Sequence, residues 1–407
     1  MTEGETLVVL GASADTAGTY QRATKLGYRT IAVDLRPVVE IADEYLPVSC
    51  RAPERVAAAL SGRRDIAGVL CPAAGGGLGL IAKEWLTRYW GLADVLPEPA
   101  VRLSVDKAEL RRACARLGLA VPGWVSGRPG PDLLVAARHL RFPAVVKPVG
   151  GTGARGVVPC AGPGALPGAF VAALAHSPCG RVLVEEYVSG IPLTVAAHLC
   201  DGVVAFHAVA ERTLAPPPYF VTCAHLLPAT LPAGADAVLV DILGTLCAEV
   251  GYRRGPLTVD LVLGHDGQPH VLGLSIRVCG DGLSDAVESA YGVDLVGAAI
   301  ADAVGGDAAL EPWPPRTTLV RLLSSDRPGT LTGVEGAAAV RAMPEVVDLQ
   351  LFTEPGSRVE PYERSDRRLG QVVLSGGSVA ALRAAEAAVR TTVRFLLAEQ
   401  DDPVPLP

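Results

Sequence analysis

Lys147 stands just ahead of a loop with four glycines in seven residues, Gly150-Gly151-Thr152-Gly153-Ala154-Arg155-Gly156. Glycine lets a backbone close over an anion and turn its N–H groups onto phosphate oxygens. A lysine beside such a loop adds a compact positive charge. The arrangement is not a P-loop. The run GxxxxGK[ST] is absent, the lysine comes first, and apolar runs on both sides make the loop a connector between two strands. A loop of that kind acts as a flap over a nucleotide. Taken alone, the loop is more simply a hairpin with a flexible tip. Together with Lys107 and the strand carrying Glu185-Glu186, the phosphate reading is preferred.

The lysines themselves are informative. The chain has 36 basic residues; four are lysine (Lys25, Lys83, Lys107 and Lys147) and the other 32 are arginine. In so arginine-biased a sequence, a surviving lysine marks a place where a compact ammonium is needed. Chance survival explains Lys25 and Lys83 equally well. It explains Lys107 and Lys147 less well, because of what surrounds them.

Composition narrows the function classes. Over 407 residues, 49% are hydrophobic and 19% charged, so each domain can bury a core. Net charge is −7, which argues against a nucleic-acid partner. Mean hydropathy is +0.33. No run of 18 uninterrupted apolar residues occurs, so no membrane partner is expected. The start, Met1-Thr2-Glu3-Gly4-Glu5, has no basic segment or cleavage site of a secretory signal, which predicts a cytoplasmic protein. The nine cysteines are scattered without a CxxC pair and read as reduced core residues.

The elements that must position these residues follow from periodicity and turn signals. Residues 6–10, 17–26 and 30–33 read as strand, helix and strand, a β-α-β unit with Gly27 ending the helix. Residues 67–70 add a strand and 80–89 a helix. The loop at Gly11 runs Gly-Ala-Ser-Ala-Asp-Thr-Ala-Gly, which lacks GxGxxG, so Gly11 is read as a tight turn and not a dinucleotide site. Pro97-Glu98-Pro99 reads as a linker, and Asp106-Lys107 opens a helix to Leu117. Strands are expected at 143–148, 182–188, as a pair over 194–211, and at 257–263 and 270–276. A helix is expected at 236–250. After a second linker at 312–315, the tail shows strands near 317–323 and 370–374 and a long helix near 376–398. The domains are placed at 1–97 (α/β), 98–310 (core of two lobes) and 311–407 (α+β).

At this point the chain resembles the ATP-grasp superfamily, and within it the carboxylate–amine ligases related to L-amino-acid ligases and biotin carboxylase. The resemblance rests on an ordered set covering essentially the whole chain. The set is Asp106-Lys107, Phe142-Pro143-Ala144-Val145-Val146-Lys147-Pro148, the glycine loop, Val182-Leu183-Val184-Glu185-Glu186-Tyr187, His225 followed by Pro228, and Arg277 followed by Gly280-Asp281-Gly282. It implies an ATP-grasp fold with an N-terminal Rossmann-like domain and a small C-terminal α+β domain. It also implies roles. Lys107 and Lys147 would contact the α- and β-phosphates of ATP. The loop, with Gly150, Gly151, Thr152, Gly153 and Gly156, would close over the β- and γ-phosphates. Glu185 and the backbone from Glu186 to Val188 would bind adenine. Arg277 would hold the transferred phosphate or the substrate carboxylate, and His225 would sit near the acyl phosphate. The partners implied are a small-molecule carboxylate and an amine, with a homodimer as assembly.

The sequence departs from the family pattern at the metal. Asp260 keeps the first acid of the magnesium site. On the next strand Gly273 replaces Glu and Ser275 replaces Asn, and Thr222 stands where relatives often carry Glu. One carboxylate makes a weak magnesium site. The leading expectation is an ATP-dependent carboxylate–amine ligase working through an acyl phosphate in small-molecule biosynthesis. The alternative is a catalytically degenerate protein on the same fold that binds a nucleotide or metabolite, as a partner subunit or with a different chemistry. The Arg364–Arg368 cluster is expected to be a solvated loop, and Trp313 a packing residue.

Overall fold

The computed structural model describes residues 4–13, 16–35, 41–72 and 76–398. Ala14 and Asp15 of the Gly11 loop lie outside them. Four sheets organise the chain.

The first is parallel, in the order β3-β2-β1-β4, with β1 (Thr6–Leu10), β2 (Arg29–Val33), β3 (Glu44–Leu46) and β4 (Ile66–Leu70). Every residue of β1 is buried, as a central strand covered on both faces should be. Gly11 ends β1 at φ +102, a conformation open to glycine, and Asp34 accepts the Ala12 amide at 2.9 Å. This is the turn read from the sequence.

The second sheet is antiparallel, β5-β8-β6-β7, with β5 (Trp124–Gly127), β6 (Ala144–Pro148), β7 (Val158–Cys160) and β8 (Val182–Glu186). Its β6–β7 connection is the glycine loop.

The third sheet has eight strands, β13-β12-β9-β10-β11-β14-β18-β16. These are β9 (Gly190–Cys200), β10 (Val203–Leu214), β11 (Thr222–Leu227), β12 (Gly255–Gly264), β13 (Pro269–Ser275), β14 (Thr317–Leu323), β16 (Val346–Leu351) and β18 (Gly370–Gly376). The strands of the tail therefore continue the sheet of the core through the β11–β14 pairing. A small sheet of β15 (Gly329–Glu335), β17 (Arg358–Val359) and β19 (Arg394–Ala398) completes the set.

Side-chain alternation in the large sheet separates core from chemistry. Leu193, Val195, Val259, Leu261 and Val271 face one way, against Leu239, Ile242, Leu243 and Leu246 of the helix Ala235–Glu249. Thr194, Asp260 and Gly273 are directly opposed across β9, β12 and β13 and face the other way. So does the opposed pair Arg212 and His225 on β10 and β11.

Two local expectations are corrected. Pro97-Glu98-Pro99 is no linker: Glu98–Val105 is a helix with Pro97 as N-cap and Pro99 within its first turn, where a missing N–H costs nothing. The terminal helix ends at Thr392, and Arg394–Ala398 is a strand paired to β15. The sequence Arg-Phe-Leu-Leu-Ala alternates exposed and half-buried side chains, a period of two that the preceding alanine-rich helix obscures. Among the described residues no helix is long and apolar enough to cross a membrane.

Candidate functional site

A cleft of about 640 Å³ lies between the glycine loop, the helix that begins at Lys107, and the chemistry-bearing face of the large sheet. Its lining includes Lys107, Lys147, the loop from Gly150 to Gly153, His225, Asp260, Gly273, Ser275 and Arg277. The residues singled out in the sequence are thus brought together, apart from Gly156 and the three residues at 185, 186 and 188.

Asp106 caps the helix Lys107–Arg116, accepting from the Ala108 and Glu109 amides at 2.8 and 3.0 Å. That cap fixes Lys107 at the first helical position. A cation there opposes the helix dipole, so local stability does not explain it. Its Nζ donates to the Gly151 carbonyl at 2.7 Å. Burial first, then the charge of Lys147, pulls the Lys107 pKa down to about 8. One turn along the same face, Arg111 is fully buried.

Lys147 and Glu185 lie diagonally across the β6–β8 pair, where long side chains meet. Lys147 Nζ pairs with Glu185 Oε2. Arg111 Nε donates to Glu185 Oε1 at 2.5 Å. Burial raises the Glu185 pKa, but Arg111 and Lys147 outweigh it and hold the carboxyl below its ordinary value. The Glu185 side chain is therefore committed to orienting two cations. Glu186, on the opposite face of β8, is paired with Arg141 at 2.6 Å. The Glu186 and Tyr187 amides donate to Gly123 and Pro143 carbonyls, both at 2.9 Å, and half-buried Val188 follows them.

The glycine loop turns through positive φ at Gly151, Gly153 and Gly156 (+119, +69 and +70). Gly156 lies at its far end, where an added Cβ would stand 3.0 Å from His176. The tip is tied to the tail: the Ser365 amide donates to the Gly153 carbonyl at 3.1 Å. The Arg364–Arg368 segment is thus no solvated loop. Ser365 and Arg368 line the cleft, and Arg368 Nη1 donates to Asp281 Oδ1 at 2.8 Å. An arginine-rich stretch gives no sequence signal of this docking, because its partners are backbone atoms and a distant aspartate.

On the sheet floor His225 is 3% exposed. Burial first, then Arg212, lowers its pKa to about 3, so the ring is neutral. Neither ring nitrogen has a protein partner, and the Nε atoms of Arg212 and Arg277 are also buried without one. The two guanidinium donors call for an acceptor in the cleft, and the neutral ring brings one donor and one acceptor of its own. Sequence reasoning misses Arg212. Its one available signal is its place directly opposite His225 in a paired register.

These groups suit a polyphosphate. They suit magnesium poorly: it wants hard oxygen ligands, usually one or two carboxylates beside substrate phosphates, and the one carboxylate here already has two protein contacts. Asp260 Oδ1 accepts from Thr194 Oγ1 at 2.7 Å and lies 3.3 Å from Arg212 Nη1. Gly273 and Ser275 add no carboxylate. Asp281 is held by Arg368, and Asp285 accepts from the Gln371 side chain. Among the described residues no group of three or more His, Cys, Asp or Glu side chains gathers to hold a metal.

Residues 321–398 match the family model of the L-amino acid ligase C-terminal domain 2. The chain is 30% identical over 282 residues to the protein y4rH of Sinorhizobium fredii, covering 68% of this chain and 58% of that one. It is 33% identical over 190 residues to carnosine synthase 1 of Gallus gallus, covering 44% and 20%. The chain thus spans less than two thirds of either relative. The crystal structure of an L-amino acid ligase from Bacillus licheniformis superposes with a TM-score of 0.83 at 18% identity, over 98% of this chain and 100% of that one.

Proposed function

We propose that this chain, a member of the ATP-grasp superfamily with a C-terminal domain of the L-amino acid ligase type, is an ATP-dependent ligase joining a small-molecule carboxylate to an amine. The carboxylate would be an amino acid or a close analogue. The observation that carries the reading is the convergence of Lys107, Lys147 and the glycine loop over a floor bearing Arg277 and His225.

The chemistry assigned to the cleft has two steps. A carboxylate oxygen attacks the γ-phosphorus of ATP; the bond to the β-phosphate oxygen breaks and ADP leaves. The amine then attacks the acyl carbon, phosphate departs with the bonding pair, and the amine loses a proton. Lys107 and Lys147 offset phosphate charge as the terminal group moves. The loop excludes water that would hydrolyse the mixed anhydride. Arg277 presents a planar fork to a carboxylate or phosphoryl group. Neutral His225 serves as a hydrogen-bonding group at the acyl phosphate. With a pKa near 3 it is too weak a base to take the ammonium proton.

The test is to incubate the purified chain with ATP and pools of amino acids, with and without magnesium. ADP, phosphate and new condensation masses are then measured. Formation of ADP and phosphate in step with a dehydrated product supports the reading. ATP left intact in every pool, by a protein shown to bind ADP, would overturn it.

A further inference from the structure

Arg212 Nη1 lies 3.3 Å from Asp260 Oδ1 on the floor of the cleft. We propose that Arg212 is the built-in counter-cation of the cleft, and that polyphosphate binds here without a divalent cation. This rests on the nucleotide reading above and deepens it.

Three observations converge. First, one oxygen of the floor carboxylate is already engaged. Asp260 Oδ1 accepts from Thr194 Oγ1 at 2.7 Å and pairs with Arg212 Nη1 at 3.3 Å. Second, Arg212 has donors to spare. Its side chain is 13% exposed, and its buried Nε has no protein partner. The Nε of Arg277 and both nitrogens of His225 are in the same condition in the same cleft. The two guanidinium Nε–H groups and the one N–H of the neutral His225 ring are unpartnered buried donors, and grouped on one floor they specify an anion. Third, the charge balance already favours one. Seven lysine and arginine side chains line the cleft against four aspartates.

Arginine suits this task. Its guanidinium stays protonated at any working pH, and its fork matches two phosphate oxygens at once. A metal site tuned to the same place would need a second acid at Gly273 or Ser275, the two positions opposed to Asp260 and Thr258 across β12. Neither supplies one. With no second acid on this floor and Arg212 beside Asp260, the cleft carries a fixed cation where a removable one has few ligands.

The test is calorimetry of ADP and ATP with the full chain, once in EDTA and once in magnesium. The expected dissociation constants agree within about threefold between the two buffers. Arg212→Gln should weaken binding in EDTA at least tenfold, and Arg212→Lys should weaken it by less. Because Arg212→Gln also uncovers Asp260, the double variant Arg212→Gln/Asp260→Asn separates repulsion by the bare carboxylate from removal of the guanidinium itself; it should stay weak. Circular dichroism checks that each variant folds. Wild-type binding tenfold tighter in magnesium would overturn the inference and leave the nucleotide reading standing. Unchanged affinity in Arg212→Gln, or full recovery in the double variant, would overturn it as well. Absence of nucleotide binding in both buffers would overturn the nucleotide reading, and the inference with it.

Discussion

The Ser365 amide donates to the Gly153 carbonyl at 3.1 Å, joining the tip of the glycine loop to a segment of the C-terminal tail. The two residues are closely packed: a Cβ at Gly153 would stand 3.4 Å from Ser365 Cβ, and the residue holds φ +69. Substitution of Gly153 by alanine should therefore cost about 1–2 kcal/mol of docked loop, from the left-handed backbone alone. Hydrogen exchange across 150–156 should rise, and ADP affinity should fall several-fold. An alanine variant with unchanged loop protection would show that the tail does not hold the flap.

Glu185 is the hinge of the charge network beneath that flap. Arg111 is fully buried and Lys147 nearly so, and both depend on its carboxylate. Removing one partner of a buried ionic group costs about 3–5 kcal/mol, because a charge is left uncompensated. Glu185→Gln should thus lower the apparent unfolding temperature by several degrees, with ADP binding weakened as Lys147 loses its orientation. A variant as stable as wild type in scanning calorimetry would contradict the buried-network account.

Lys147→Ala tests the phosphate interaction more directly. Removing a charge-assisted hydrogen bond to phosphate should weaken ADP or ATP at least tenfold, about 1.4 kcal/mol. Glu185 keeps Arg111 as partner in this variant, so folding should suffer less than in Glu185→Gln. Calorimetry that finds equal affinity in wild type and Lys147→Ala would count against the nucleotide site as a whole.

Much of this site is legible because its signals are local. A glycine-rich run, a lysine in an arginine-biased chain, and Asp106 before a helical pattern each report on the residue that carries them. The β-α-β start and the strands at 144–148 and 182–186 are legible for the same reason, since period and turn chemistry act over a few residues. What stays hidden depends on register between distant strands. Nothing near Arg212 announces that it will face Asp260, and nothing near Ser365 announces Gly153. The strand at 394–398 is hidden by a helix-forming neighbour, and its identity is decided by pairing with β15.

Lys107 gives the site a pH dependence. In the unliganded protein burial and Lys147 place its pKa at about 8. A bound polyphosphate favours the ammonium and raises that value. Between the two values binding takes up a proton, so affinity falls as pH rises above about 8, by up to about tenfold per unit. Below about pH 7 the ammonium is already formed, and this dependence disappears. Folding stability moves in the opposite direction. The folded pKa lies below the unfolded value of about 10.4, so the unfolded chain binds more protons between the two and the unliganded protein gains stability as pH rises through that window. ADP calorimetry from pH 6.5 to 9.5 should show the loss of affinity in wild type and its absence in Lys107→Arg, which stays charged. A flat wild-type profile would remove Lys107 from the phosphate site.

Gly273→Glu together with Ser275→Asn should convert the floor into a magnesium site. Gly273 opposes Asp260 in the β12–β13 register. A Cβ there would meet Asp260 Cβ at 3.7 Å and Oδ2 at 3.8 Å, which is ordinary packing distance. No positive φ has to be overcome, so the new side chain enters without backbone strain. The glutamate adds a second negative charge beside Asp260, and the asparagine adds a carbonyl oxygen, both hard ligands of the kind magnesium selects. Arg212 remains as a competitor for Asp260, so the gain should be larger when Arg212→Gln is added. The expected result is ADP binding at least tenfold tighter in magnesium than in EDTA, with faster ATP hydrolysis. Should the double variant respond to magnesium no more than wild type does, Asp260 would not be the acid around which a metal can be rebuilt, and the reading of Gly273 and Ser275 as missing metal ligands would fall.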